Sequence, residues 1–285
     1  PPPPPPPPPP PIFFLKHQSV IPDPLWYRGL GDVYKRQGKY AEQNPDRSAF
    51  VMAATGERVS YQEFEARSNR VAHYLADKGL GFQDHYSIFM ENNNRYLESC
   101  AAGERSGLYF TCINSFLTSD ELAYIINNSE SQILITSMSK LEAAQEALAK
   151  CTAIKEVLVV GAGDADLPEG MSDFASTLSK YPETPLEREL LGAAMLYSSG
   201  TTGRPKGIVR PLPEQSPDEP LPVIGFLSGL WRYREDMIYL SPAPLYHSAP
   251  QAAVGLTLRM GGTCLLYTSD AADEGLGVDL GGRRI

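Results

Sequence analysis

Between residues 60 and 160 the chain alternates short β-branched or aromatic runs with capped helical segments, which leaves few architectures open to it. Ser60-Tyr-Gln-Glu63 has the spacing of a capping box, in which a hydroxyl and a carboxylate satisfy free amides at a helix start. Tyr61, Phe64, Val71, Ala72 and Leu75 then recur near one helical face, and Gly79 is placed to end the helix. Residues 86–90 are a short apolar run suited to a buried strand, 96–106 are helical, and 108–113 are strand-like again. Thr118-Ser-Asp-Glu121 repeats the capping spacing ahead of Leu122, Ile125 and Ile126. Residues 132–136 are strand-like, 141–150 are rich in strong helix formers, and 157–160 are β-branched. Strands of about five residues joined by helices predict an α/β fold, its mostly parallel sheet flanked by helices. Nothing repeats at a fixed period, which argues against a solenoid.

Composition removes other classes. With 285 residues, 42% hydrophobic and 21% charged, the chain can bury a sizeable core in one or two domains. Its longest apolar or small run, 223–231, is closed by Pro222 and Arg232 and falls far short of the roughly 20 residues a spanning helix needs. A net charge of −9 gives no support to nucleic-acid binding. The four cysteines show no C-x-x-C spacing, which suits reduced thiols in a cytoplasmic protein.

The ends differ from the middle. Residues 1–11 are an unbroken proline run, able to form an extended polyproline helix but not to join a sheet or a helix interior. Residues 266–285 are acidic and glycine-rich and lack amphipathic periodicity. Parts of both flanks, 31–37 and 265–274, resemble translated sequencing-adapter sequence. The expectation is a non-globular, non-native flank over 1–37, a globular part over 38–265, and a non-native or disordered tail over 266–285.

Chemistry concentrates after Ala193. Met195-Leu-Tyr197 has the character of a buried strand end and runs into Ser198-Ser199-Gly200-Thr201-Thr202-Gly203-Arg204-Pro205-Lys206-Gly207. Those ten residues hold four hydroxyls, three glycines and two cations. Glycines let backbone N–H groups converge on an anion, hydroxyls add donors, and Lys206 adds a mobile positive charge. Together they suit a cradle for the β- and γ-phosphates of a nucleotide. The simpler alternative, a solvated Gly/Ser/Thr turn, accounts for the composition but not for the order. A Walker A loop needs glycine before the lysine, and Pro205 stands there. G-x-S-x-G is absent around Ser198 and Ser199, and S-x-x-K fails because Gly203 lies three residues before Lys206.

Tyr197 to Gly207 closely resembles the phosphate-binding motif of the adenylate-forming superfamily, which includes acyl-CoA synthetases and the adenylation domains of peptide synthetases. Residues 117–126 with Leu134-Ile-Thr136, and Tyr61-Gln-Glu-Phe64 with Asn69-Arg-Val-Ala72, are similar to upstream structural motifs of that family. The resemblance covers 38–265 and implies an incomplete N-terminal domain of the adenylate-forming fold with disordered flanks. It implies that Ser198, Ser199, Gly200, Thr201, Thr202, Gly203 and Lys206 bind ATP. Pro244-Leu-Tyr246-His247 is more similar to acyl-CoA synthetases than to amino-acid-activating domains, so Tyr246 and His247 would shape the carboxylic-acid site. The implied reaction forms an acyl-adenylate from a carboxylic acid and ATP with Mg²⁺, then passes the acyl group to CoA. His17, His73 and His85 lack comparable context, and no residue is singled out as a metal ligand.

Between the two motifs, 210–222 is a proline-rich loop, and 225–231, with Phe226, Leu227, Leu230 and Trp231, suits a helix that borders an apolar pocket or, the favoured use, packs in a core. The family's later motifs for adenine, ribose and the late catalytic lysine do not occur after Leu265. The expected function is therefore that of a piece of an acyl-CoA synthetase without a complete catalytic set. A piece of an amino-acid-activating enzyme and a non-catalytic nucleotide-binding module stay open as alternatives.

Overall fold

The computed structural model describes residues 37–198, 205–219 and 221–267. Both predicted flanks fall largely outside the described residues. The chain enters through α1 (Gln37–Gln43) and the strands β1 (Ser48–Met52) and β2 (Arg58–Ser60). Ser60 then caps α2 (Tyr61–Asp77): its Oγ accepts from the Glu63 amide at 3.2 Å, and the Glu63 carboxylate accepts from the Ser60 amide at 2.8 Å. There follow β3 (His85–Phe89), α3 (Tyr96–Ser106), β4 (Tyr109–Cys112) and α4 (Ser119–Asn128), the last opened by the predicted box at Thr118 and Glu121. Next come β5 (Ile133–Ser137), α5 (Leu141–Leu148), β6 (Glu156–Val160), β7 (Met171–Asp173), α6 (Phe174–Leu178) and β8 (Ala193–Ala194). The last part holds β9 (Leu196–Ser198), β10 (Lys206–Ile208), α7 (Pro222–Leu230), β11 (Ile238–Ser241), α8 (Ser248–Arg259) and β12 (Thr263–Leu266).

The main sheet has six strands in the order β7-β6-β5-β3-β4-β8, and every pairing is parallel. A second sheet, β11-β12-β1-β2, is parallel except for β1 with β2. Side-chain alternation along the strands explains how both faces of the main sheet are covered. Ile133 and Ile135 of β5 join Tyr86 and Ile88 of β3 in a core shared with α2, α3, α8 and the second sheet, whereas Leu134 and Phe89 face the opposite way onto α4 and α5. Each such large apolar side chain contributes roughly 1.5–3 kcal/mol by leaving water. Helix α3 lies so close to the main sheet that a Cβ at Gly103 would stand 2.6 Å from the Tyr86 hydroxyl oxygen. Buried Arg105 ties α3 to α2 through both Glu65 oxygens at 2.9 and 2.8 Å and through Asn69 Oδ1. Among the described residues no helix is long and apolar enough to cross a membrane, and all four cysteines are free thiols.

The segment read as a strand end at Met195-Leu-Tyr197 is a strand: buried Met195 bonds to Phe110 of the main sheet, and β9 then makes an antiparallel hairpin with β10. One expectation needs correction. The core role expected for 225–231 is not met. The inward positions of α7 are the small residues Gly225 and Ser228, so Phe226, Leu230 and Trp231 stand 55%, 60% and 53% exposed.

Candidate active site

The glycine- and hydroxyl-rich segment is the loop of the β9–β10 hairpin. Ser198 pairs with Lys206, Tyr197 with Gly207 and Leu196 with Ile208, so both arms run up to the loop from opposite sides. Ser199, Gly200, Thr201, Thr202 and Gly203, and the side chain of Ser198, lie outside the described residues. Lys206 stands at the hairpin mouth with its side chain exposed to solvent. Gly207 is required by its neighbours: a Cβ there would come within 2.4 Å of Met195 Cε and 3.1 Å of the Tyr197 ring. A side chain at this position would push the Tyr197 ring off the strand.

Helix α4 holds both arms. Tyr124 donates its hydroxyl to the Pro205 carbonyl at 3.1 Å, and Tyr197 donates to Asn128 Oδ1 at 2.7 Å. Burial, with Tyr124 alongside, pushes the Tyr197 hydroxyl up to about 12, so it keeps its proton and its donor role at neutral pH. Sequence reasoning missed Tyr124 and Asn128. They sit about 70 residues upstream and carry only the pattern of an ordinary capped helix.

Beside the hairpin lies a cavity of about 470 Å³. The end of β4 and its following loop (Thr111 to Asn114), the hairpin residues Tyr197, Pro205 and Ile208, and the segment Tyr246-His247-Ser248 form its walls. The carboxyl ends of parallel strands are where open α/β sheets bind ligands, because side chains and loops converge there without interrupting the ladder. Tyr246 and His247 are therefore brought to one cavity with the arms of the β9–β10 hairpin. Lys206 is next to lining residue Pro205 but is not itself on the wall.

The Tyr246-His247 segment is fixed from below. Leu245 is fully buried, and its amide donates to Asn92 Oδ1 at 2.8 Å. The Asn92 amide group donates in turn to the carbonyls of Ala243 and Tyr267 at 3.2 and 2.9 Å. Asn92 follows β3, so a loop of the main sheet places the segment ahead of α8. His247 takes the N-cap position of α8 in extended backbone geometry, with its ring 4.4 Å from that of Tyr246. Asn92 was also missed, because one asparagine in an Asn-rich loop gives no sequence signal. His73 donates from Nε2 to the Thr184 carbonyl and His85 stacks on Tyr109, and neither is on the cavity wall. Among the described residues no group of three or more His, Cys, Asp or Glu is placed to hold a metal ion.

Residues 38–278 match the family model described as AMP-binding enzyme. The chain is 29% identical over 244 residues to a medium/long-chain-fatty-acid–CoA/3-oxocholest-4-en-26-oate–CoA ligase of Mycolicibacterium smegmatis, covering 81% of this chain and 44% of that protein. It is also 29% identical over 240 residues to long-chain fatty acid transport protein 6 of Mus musculus, covering 80% of this chain and 37% of the relative. Among solved structures, ATP-bound MatB from Rhodopseudomonas palustris superposes with a TM-score of 0.63 at 27% identity, over 85% of this chain and 47% of that one. The chain thus spans less than half the length of these relatives. A match that runs through both sheets, the hairpin and the cavity wall supports one assignment: the chain belongs to the AMP-binding enzyme family.

Proposed function

We propose that this chain is part of an ATP-dependent acyl-CoA synthetase, an acid–thiol ligase of fatty-acid metabolism. The observation that carries the reading is the placement of the phosphate-type hairpin and the Tyr246-His247 segment around one cavity. Residues Ser198 to Gly203 and Lys206 would hold the β- and γ-phosphates of ATP, and the carboxylic acid would lie in the cavity near His247. A carboxylate and ATP repel one another, so cations and oriented amides at the hairpin favour their approach. The carboxylate then attacks the α-phosphorus, pyrophosphate leaves, and the thiol of CoA displaces AMP from the acyl-adenylate. Mg²⁺ would come with the triphosphate and offset its charge, since the described residues supply no metal cluster. The matched fatty-acid–CoA ligases favour a fatty acid as the substrate. Four free thiols favour a cytoplasmic setting. The globular unit proposed is 38–265.

ATP–pyrophosphate exchange tests the reading. The chain alone is expected to give no exchange above background. A longer enzyme that includes it is expected to exchange with medium- or long-chain fatty acids, and Lys206→Ala is expected to lower kcat/KM about 10²-fold. Exchange driven by amino acids instead would point to an amino-acid-activating enzyme. Tight ATP binding by the chain, lost in Lys206→Ala but never accompanied by exchange in the longer enzyme, would point to a nucleotide-binding module.

A further inference from the structure

Cys100 of α3 and Cys112 of β4 bring their sulfurs to 3.7 Å from one another. Both are nearly buried, at 6% and 8% exposure, but their surroundings differ. Cys112 is the last residue of β4 and lines the cavity, whereas Cys100 lies behind it on the helix that Gly103 lets sit against the sheet. Gln251 of α8 donates its side-chain amide to Cys112 Sγ at 2.8 Å. The other two cysteines have different surroundings: Cys151 donates to the Ala147 carbonyl and Cys264 to that of Val254.

We propose that Cys100 and Cys112 are an oxidative modification site that reacts with hydroperoxides entering the cavity and closes to a disulfide. In the first step the Cys112 sulfur attacks the outer peroxide oxygen. The O–O bond breaks, Cys112 becomes a sulfenic acid, and the hydroperoxide is reduced to an alcohol, or to water if it is hydrogen peroxide. In the second step the Cys100 sulfur attacks the sulfenic sulfur, and its proton leaves with the hydroxyl as water. The dithiol has then lost two electrons and two protons, and the peroxide has taken them up. Cys112 lines the cavity and Cys100 lies behind it, so Cys112 meets the peroxide first and Cys100 makes the second attack. Linkage would tie the cavity end of β4 to α3 and move the acceptor of Gln251, a residue in the first turn of α8 just after His247. The cavity wall is thereby joined to the redox state of the pair.

Mapping the wild-type chain after hydrogen peroxide treatment tests this without reference to ligase activity. Arg105 lies between the two cysteines, so trypsin separates them, and a link appears as peptides 96–105 and 106–140 joined. The expected product is that joined pair, lighter by two hydrogens and separated again by dithiothreitol. Cys100→Ser is expected to stop at a Cys112 sulfenic acid that dimedone traps. Oxidation of Cys151 while Cys100 and Cys112 remain open to alkylation after unfolding would overturn the proposal. So would a joined pair that forms only between separate molecules.

Discussion

The Tyr197 ring covers Gly207 and its hydroxyl reaches Asn128, so one side chain sets both the spacing of the hairpin arms and their attachment to the fold. The segment proposed to hold phosphate stands out in the sequence, because glycines, hydroxyls and a lysine in that order suit an anion cradle. What supports it does not. Asn92, Tyr124 and Asn128 act through contacts with residues 153, 81 and 69 positions away in the chain, and no local pattern marks them. Glu98 is a second case. It is fully buried in the first turn of α3, and burial pushes its carboxyl from an ordinary 4.5 up to about 7, partly offset by Arg95 and Arg67. Between those values the folded chain holds a proton that the unfolded chain has released, so this residue makes stability fall as pH rises from 4.5 to 7 and stay level above. Glu98→Gln is expected to remove that slope. The variant should be more stable than the parent at pH 8 by about 3 kcal/mol, with the difference vanishing near pH 4. Denaturant melts of both proteins across this pH range check it.

At the scale of elements, capping boxes and short apolar runs located α2 to α5 and β3 to β6 to within one or two residues. Local chemistry decides those features, and Ser60 and Thr118 form the reciprocal caps their spacing predicts. The partner of a strand is decided by tertiary placement. Residues 195–197 read as a strand end, but nothing local says that the strand pairs with β10 rather than extending the main sheet, which ends at β8. Apolar α7 packs through its small residues and turns its large ones outward, a choice that composition does not encode. Helix α4 is the element that links fold to site. Tyr124→Phe combined with Asn128→Ala removes one hydrogen bond to each hairpin arm, each worth about 0.5–1.5 kcal/mol. The expected result is several-fold faster amide exchange at residues 206–208 with little change in overall melting. Unchanged exchange there would show that α4 does not hold the hairpin.

At the scale of the molecule, two mostly parallel sheets share one core through α2, α3 and α8, and α4 and α5 cover the far side of the larger sheet. The parallel character was legible from the alternation of strands and helices, whereas the division into two sheets depends on long-range pairing such as β1 with β12. Strand β11 ends the smaller sheet with Ile238 and Leu240 facing solvent, near in sequence to the exposed face of α7. Exposed strand edges and apolar patches promote association. Ile238→Lys with Phe226→Ser is expected to raise the soluble fraction of the expressed chain and to change stability by less than about 0.5 kcal/mol per site. Equal losses to aggregation in parent and variant would place the cause elsewhere.

In the proposed function the β9–β10 hairpin grips the phosphates of ATP. Titrating the isotope-labelled chain with ATP and following its backbone amide resonances tests that claim most directly. The account predicts saturable shifts confined to residues 198–207 and the adjoining cavity wall, abolished by Lys206→Ala. Shifts that centre on other residues, or that persist unchanged in Lys206→Ala, would contradict it.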